Sequence, residues 1–265
     1  MKKMKRCLGF CTCLLALSLS SLLNLSGVHA QENLSGNITY QQVVRYSFDK
    51  VKEAHGNDER TQDWIATLPK EGINVQVLQF NGKEALFEED ESEKEASPDG
   101  LQRALMYENS LKPAVPLVQK VYYDFDKNQK LEQVEFLTRL FLVESEIESV
   151  PWKLGSEKKK VLEYVCLGAT ATINDQEIVA WFAPEIPVSL GPSVFGGLPG
   201  LILAVERNGE TAYVATSVDL TPAAEQSISK PNKGSKVSRE EFASLREEKE
   251  KERKENVQSR DMYHR

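Results

Sequence analysis

Residues Gly191 to Val205, GPSVFGGLPGLILAV, carry a glycine- and proline-dense loop straight into a strand-like apolar run. Gly191, Gly196, Gly197 and Gly200 admit backbone angles closed to other residues. Pro184, Pro187, Pro192 and Pro199 fix φ and remove N–H donors, so none suits a central strand. Together they predict one stiff, non-repetitive path between a strand at 176–183 and a strand at 200–207. Two roles fit it: a plug over the open end of a sheet, or a loop that docks a partner or grips a ligand. Long ordered loops inside compact domains are uncommon and often functional. This one holds little chemistry, since Glu185, Ser189 and Ser193 are its polar side chains.

Around the loop the chain reads as β-structure. Asn81-Gly82 stands between INVQVLQF and EALFEE, and Asn208-Gly209 between LILAV and TAYVATSV. Asn-Gly suits the paired positive φ angles of a type I′ hairpin turn. Asp126-Lys127-Asn128-Gln129 and Asn174-Asp175-Gln176 are weaker signals of the same kind. The predicted strands are 37–47, 73–80, 83–88, 118–125, 130–143, 159–173, 176–183, 200–207 and 210–219. Several exceed the usual length of about five or six residues. Long strands joined in sequence predict a curved antiparallel meander, a half-barrel or bowl. Ile73, Val75 and Val77 alternate with polar residues, the mark of a half-buried strand. Gly168 and the small residues to Thr172 keep one strand narrow, leaving room for a loop or ligand above them.

Helices are few. Asp58 to Leu68 predicts a short one, capped by Asp58 and stopped by Pro69. Asn109 to Val118 is interrupted by proline and reads as loop. Ser238 and Glu241 form a capping box at the start of a charged C-terminal helix, apolar only at Phe242 and Leu245. That tail is either a solvated helix or a partner-binding one. The domain reading is a signal peptide at 1–30, a β-domain at 31–220, a flexible linker at 221–237 and a charged helical tail at 238–265.

Lys2, Lys3, Lys5 and Arg6 precede an apolar stretch from about Leu8 to Leu23, and Val28-His29-Ala30 fits a cleavage site before Gln31. The expected mature chain is exported, with no transmembrane span. Removing the four basic residues of the leader from 33 leaves 29 against 40 acidic ones, a net charge of −11. That balance argues against nucleic acid and anionic membranes. Three of four cysteines leave with the leader, so Cys166 has no intramolecular partner. It reads as a small hydrophobe in a core or as a reactive thiol in an oxidising compartment.

The remaining residues restrict catalysis. His55 and His264 are the histidines of the mature chain, neither beside an apolar strand end, which disfavours Ser–His–Asp or Cys–His chemistry. One Cys and two His do not make a closed zinc sphere. Asp124 with Asp126, predicted on one strand face, and Glu144, Glu146 and Glu148 are carboxylate pairs available for acid–base work, or plain surface charge. The acidic run Glu84–Glu95, with His55, is a metal candidate or a solvated loop. Trp64, Trp152, Trp181, Phe182 and Phe195 line a pocket or pack the core.

FGGLPGLIL at Phe195–Leu203, preceded by VAWFAPEIPVSLGP, resembles the GLPGLI family of exported Bacteroidetes proteins. VYYDFDKNQKLEQVEFLTRLFLVESEI and PWKLGSEKKKVLEYVCLGATA resemble further segments of that family, over about Ile38 to Leu245. The sequence departs from it at Leu167-Gly168, and it lacks a second cysteine shortly after Cys166. The resemblance implies a periplasmic or outer-membrane-associated protein of a Gram-negative bacterium, with an uncharacterised function. It also implies kinship with a bowl-shaped accessory β-domain on a glycan-processing enzyme. The expected function is a binding or accessory protein. Its partner would be an apolar small molecule or lipid, a peptide-like ligand, an outer-membrane transporter or a secreted enzyme. The expected contact residues are Trp181, Phe182, Glu185, Phe195, Gly196, Gly197, Leu198, Pro199 and Gly200. No cofactor and no catalytic residue is expected, and any metal role is open. The alternatives are a hydrolase using Asp124, Asp126 and Glu185, and a periplasmic metal-handling protein.

Overall fold

The computed structural model describes residues 34–56, 58–94, 98, 100–222 and 227–263, without the side chains of Pro222 and 256–263. The expected leader, His264 and Glu95 lie outside the described residues. The elements are β1 (Leu34–Arg45), α1 (Asp49–His55), α2 (Glu59–Thr67), β2 (Glu71–Phe80), β3 (Glu84–Glu89), a 3-10 turn (Glu91–Glu93), α3 (Leu101–Ser110), β4 (Leu117–Asp124), β5 (Gln129–Phe136), β6 (Arg139–Glu146), β7 (Lys153–Val161), β8 (Tyr164–Ile173), β9 (Gln176–Ala183), β10 (Leu201–Arg207), β11 (Glu210–Pro222), β12 (Ser235–Ser238) and α4 (Arg239–Tyr263).

The described strands form one open sheet in the order β12-β6-β5-β4-β3-β2-β1-β11-β10-β9-β8-β7. Two antiparallel meanders therefore run outward from the central pair β1–β11, which has a bulge between Thr39 and Tyr40. Twisted sheets of more than about ten strands curl rather than stay flat, and this one bends into the bowl predicted from the long strands. Its inner face carries Ile38, Tyr40, Leu78, Phe80, Phe87, Val121 and Tyr123, all buried. Register places each beside a neighbour of the same face: Ile38 opposite Leu78, Leu78 opposite Phe87, Phe87 opposite Val121.

Two of the predicted strands are hairpins. The run 130–143 breaks at Leu137 and Thr138, with φ of 51° and 63°. The run 159–173 breaks at Leu162, with φ of 53°. Asn208 and Gly209 (50° and 79°) and Asn174 and Asp175 (49° and 60°) adopt the expected positive pair. Asn81 works differently: its Oδ1 accepts from the N–H groups of Lys83 (2.9 Å) and Glu84 (2.7 Å).

The stretch read as a flexible linker has a built course where it is described. Ile228 is buried on the outer face against Leu86, Tyr122, Leu131 and Leu142. β12 then pairs in parallel with β6. Ser238 and Glu241 close the predicted capping box at 2.8 and 3.1 Å. Phe242 packs on the inner-face rings of Phe136 and Phe141, with centroids 5.9 and 5.3 Å apart. Residues 228–242 thus clasp the β6 edge from both faces.

A small helical cap sits between β1 and β2 in sequence and includes α3. Phe48, Val51, Ile65, Leu68, Leu101 and Ala104 form its core. Asp58 caps α2 as predicted, accepting from the Thr61 N–H at 3.1 Å. α3 was not foreseen, and its first part lies upstream of the stretch read as loop. Leu101, Ala104 and Glu108 form its buried stripe. Phe48 provides α1 with no side-chain cap. Glu108, 1% exposed, does so from α3, accepting from the N–H groups of Val51 (2.9 Å) and Lys50 (3.2 Å) and pairing with Lys112 at 2.5 Å. Burial pushes this carboxyl up, but the Lys112 ammonium and the two N–H groups outweigh it and hold it below the usual carboxylate range. A depressed folded value gives stability that is complete above the ordinary range and lost as pH falls through the folded one. Glu108→Gln is expected to lower stability by about 1–3 kcal/mol at neutral pH. Urea denaturation of both proteins from pH 7 to pH 3 checks this, and a gap that fails to narrow in acid contradicts it.

Candidate functional site

The loop between β9 and β10 lies across the inner face of the bowl. Ile186, Val188, Leu190, Phe195 and Leu198 are buried in the main core with Tyr40, Phe87 and Tyr213. An aromatic chain anchors it: Trp152 to Phe195 (6.5 Å), Phe195 to Tyr213 (6.3 Å), Tyr213 to Phe87 (6.1 Å) and Phe87 to Tyr40 (6.2 Å). Hydrogen bonds fix the backbone. Trp152 Nε1 donates to Gly196 O at 2.8 Å and Tyr123 OH to Ser193 O at 3.2 Å. Leu201 N donates to Ile186 O at 3.0 Å and Ile202 N to Leu190 O at 2.9 Å. Ile202 N bonds to the loop at the bulge of β10, and Ile202 O there accepts from Tyr40 OH at 2.8 Å. Burial holds the Tyr40, Tyr123 and Tyr213 phenols above their usual range, so Tyr40 and Tyr123 donate as neutral groups, while Tyr213 OH accepts from Gln42 Nε2 at 3.0 Å.

The loop divides the expected contact residues by exposure. Phe195, Leu198 and Gly200 are buried, and Gly196 is half-buried. Glu185, Gly197 and Pro199 are exposed, together with Pro184, Pro187, Ser189 and Val194. The last group makes an outward rim, while the apolar side chains beneath occupy the concavity that a carried ligand would need.

Trp181 and Phe182 belong to opposite faces of β9, because successive strand residues alternate. Phe182 lies buried on the inner face. Trp181 lies on the outer face over Gly168, its register partner. Its Nε1 donates to Glu206 at 3.0 Å, and the Lys159 ammonium sits 5.3 Å from its ring and 2.7 Å from Glu206. The room above Gly168 is thus taken by Trp181, and the two aromatics share no pocket. Sequence reading missed Tyr123 and Tyr213, whose signal was their inward phase on β4 and β11.

The carboxylates do not converge. Asp124 ends β4 and pairs with Lys127, whose ammonium and backbone N–H hold it below the usual range. Asp126 lies past the strand end and is exposed, contrary to the shared strand face predicted for the pair. Glu185 stands on the loop rim. Glu144 pairs with Lys236 at 2.5 Å and Glu148 with Arg239 at 3.0 Å. Along the acidic run, Glu84 accepts from Tyr122 OH, Glu88 pairs with Lys120, and Glu89 and Glu91 pair with Lys94 at 3.5 and 3.3 Å. His55 instead packs on Tyr107, with centroids 5.6 Å apart. Among the described residues no group of three or more His, Cys, Asp or Glu is placed to hold a metal ion. Cys166 is buried, and that burial pushes its thiol up to about 11, the condition of an inert core residue. No helix among the described residues is long and apolar enough to cross a membrane.

A family model described as the N-terminal domain of an N-glycanase matches residues 121–240, from β4 through the loop to the start of α4. No curated protein matches the chain. Two solved structures of PNGF-II resemble it. The one in space group C2 is 15% identical with a TM-score of 0.49, covering 80% of this chain and 32% of its own. The one in space group P21 is 17% identical with a TM-score of 0.50, covering 80% and 33%. This chain therefore spans about a third of the length of those proteins, and at such identity the P21 likeness bears on the fold alone.

Proposed function

We propose that this chain is a non-catalytic accessory protein of the GLPGLI type, exported to the periplasm or the outer-membrane periphery. It docks a macromolecular partner, a secreted enzyme or a transporter, on the rim of its Gly–Pro loop. The observation that carries this reading is the filled concavity: Ile186, Val188, Leu190, Phe195 and Leu198 stand where an apolar cargo would lie. The loop is held rigidly from below and offers Pro184, Glu185, Pro187, Val194, Gly197 and Pro199 above. A rigid surface loses little entropy on binding. The match over residues 121–240 is to one domain of an N-glycanase, its N-terminal one.

The test is a photoreactive benzophenone side chain placed at Val194, at Pro199 or, as control, at Glu91 in the exporting cell. One discrete protein adduct is expected from the first two positions and none from Glu91. Native mass spectrometry of the purified protein is expected to show the bare chain. A mass excess lost on denaturation would return the function to ligand carriage. Equal adducts at all three positions would remove the loop from the interface.

A further inference from the structure

β7 ends the sheet, and eight of its nine residues are exposed. It carries Lys153, Lys158, Lys159 and Lys160 in a chain whose net charge is −7. Lys159 faces outward to Glu206 and Trp181. Lys158 and Lys160 stand opposite Leu167 and Val165, on the other side of the hairpin. Among the described residues neither is paired with a carboxylate.

Among the described residues no strand pairs with the outer side of the same two residues. β7 and β8 are joined by a two-residue turn, with Val161 opposite Tyr164. In such a hairpin the closing pair exchanges both backbone bonds, and hydrogen-bonded pairs alternate along the ladder. Val161 and Lys159 therefore bond to β8, while the N–H and C=O groups of Lys158 and Lys160 point off the sheet. A bulge between Leu154 and Lys158 confines the regular edge to this end. Exposed Val165 (48%) and Leu162 (38%) flank it.

The geometry points to β7 as a docking edge for an extended acidic segment of a partner protein, one that adds a strand and sets carboxylates on alternate residues against Lys158 and Lys160. A second copy of this chain is the wrong occupant. Antiparallel self-pairing would set these lysines against each other, and edge lysines oppose self-association for that reason. An incoming row of carboxylates meets complementary charge and unfilled backbone groups at once. This assignment does not rest on the role proposed for the loop rim.

The probe is a fluorescein-labelled eight-residue peptide alternating Glu and Val, with a Lys–Val peptide as control, titrated into the purified protein. The Glu–Val peptide is expected to bind, more weakly as salt rises, and to slow amide exchange at Lys158 and Lys160. The double variant Lys158→Glu, Lys160→Glu is expected to weaken binding at least tenfold while its near-ultraviolet circular dichroism stays unchanged. Equal binding of both peptides, no binding of either, binding that survives the double substitution, or protection elsewhere would each overturn the assignment.

Discussion

Gly200→Ala is expected to destabilise the protein by about 3 kcal/mol or more, the upper range for forcing extra volume into a packed site. A β-carbon at Gly200 would overlap Ala183 O and crowd Pro184 Cα, both backbone atoms that no side-chain rotation moves away. Gly191 is enclosed in the same way: a β-carbon there would stand 2.7 Å from Ile202 Cβ and 2.8 Å from Phe195 O. Gly197 is the contrast. It has φ of 85° and open space around it, so alanine there meets only the conformational penalty of the left-handed region, about 1–2 kcal/mol. Urea denaturation of the three alanine variants checks the ranking, with Gly200 and Gly191 well below Gly197. Equal losses would mean that the loop lifts off the sheet to make room, and the plug would then be a loose cover.

That ranking shows what kind of information the loop sequence holds. GGLPG announces an irregular path, and its stiffness was legible from glycine and proline alone. Which glycines are enclosed depends on Ala183 and Ile202, at the strand ends the loop returns to, and their approach is set by the sheet. The same division runs through the fold. Asn208-Gly209 and Asn174-Asp175 mark their own turns, because those residue types tolerate positive φ. Leu137-Thr138 and Leu162 do not. Each adopts positive φ inside an apolar run, at about 1–2 kcal/mol per residue, and neighbouring strand pairing compensates. Local preference therefore read two hairpins as two long strands. β12 was hidden for a different reason: it exists only by pairing with β6, some ninety residues earlier. In the site, Phe195 and Leu198 were legible as important apolar residues, but nothing local said whether they face a partner or the protein's own core. Trp181 and Phe182 are adjacent in sequence and fall on opposite faces, which strand alternation already implies once β9 is placed.

Phe195→Ala separates the two sides of the loop. Phe195 is 5% exposed, between Trp152 and Tyr213. Deleting a buried phenylalanine ring costs about 3–5 kcal/mol, the larger values where the surroundings cannot collapse. Collapse is hindered here, because Trp152 is tied to Gly196 O at 2.8 Å and the loop backbone is bonded to Leu201 and Ile202. The expected result is a loss near the top of that range, with a changed Trp152 fluorescence as its ring loses a neighbour and gains water. Val194→Ala, one residue away on the exposed rim, is expected to change stability by no more than about 0.5 kcal/mol. If the rim carries the partner, the two variants part company. Val194→Ala weakens capture of the partner with the fold intact. Phe195→Ala weakens the fold, and capture only in proportion to the unfolded fraction. A Phe195→Ala protein that stays within about 1 kcal/mol of the parent would show that the ring is not holding the inner face closed. The buried half of the loop would then regain its place as a ligand contact.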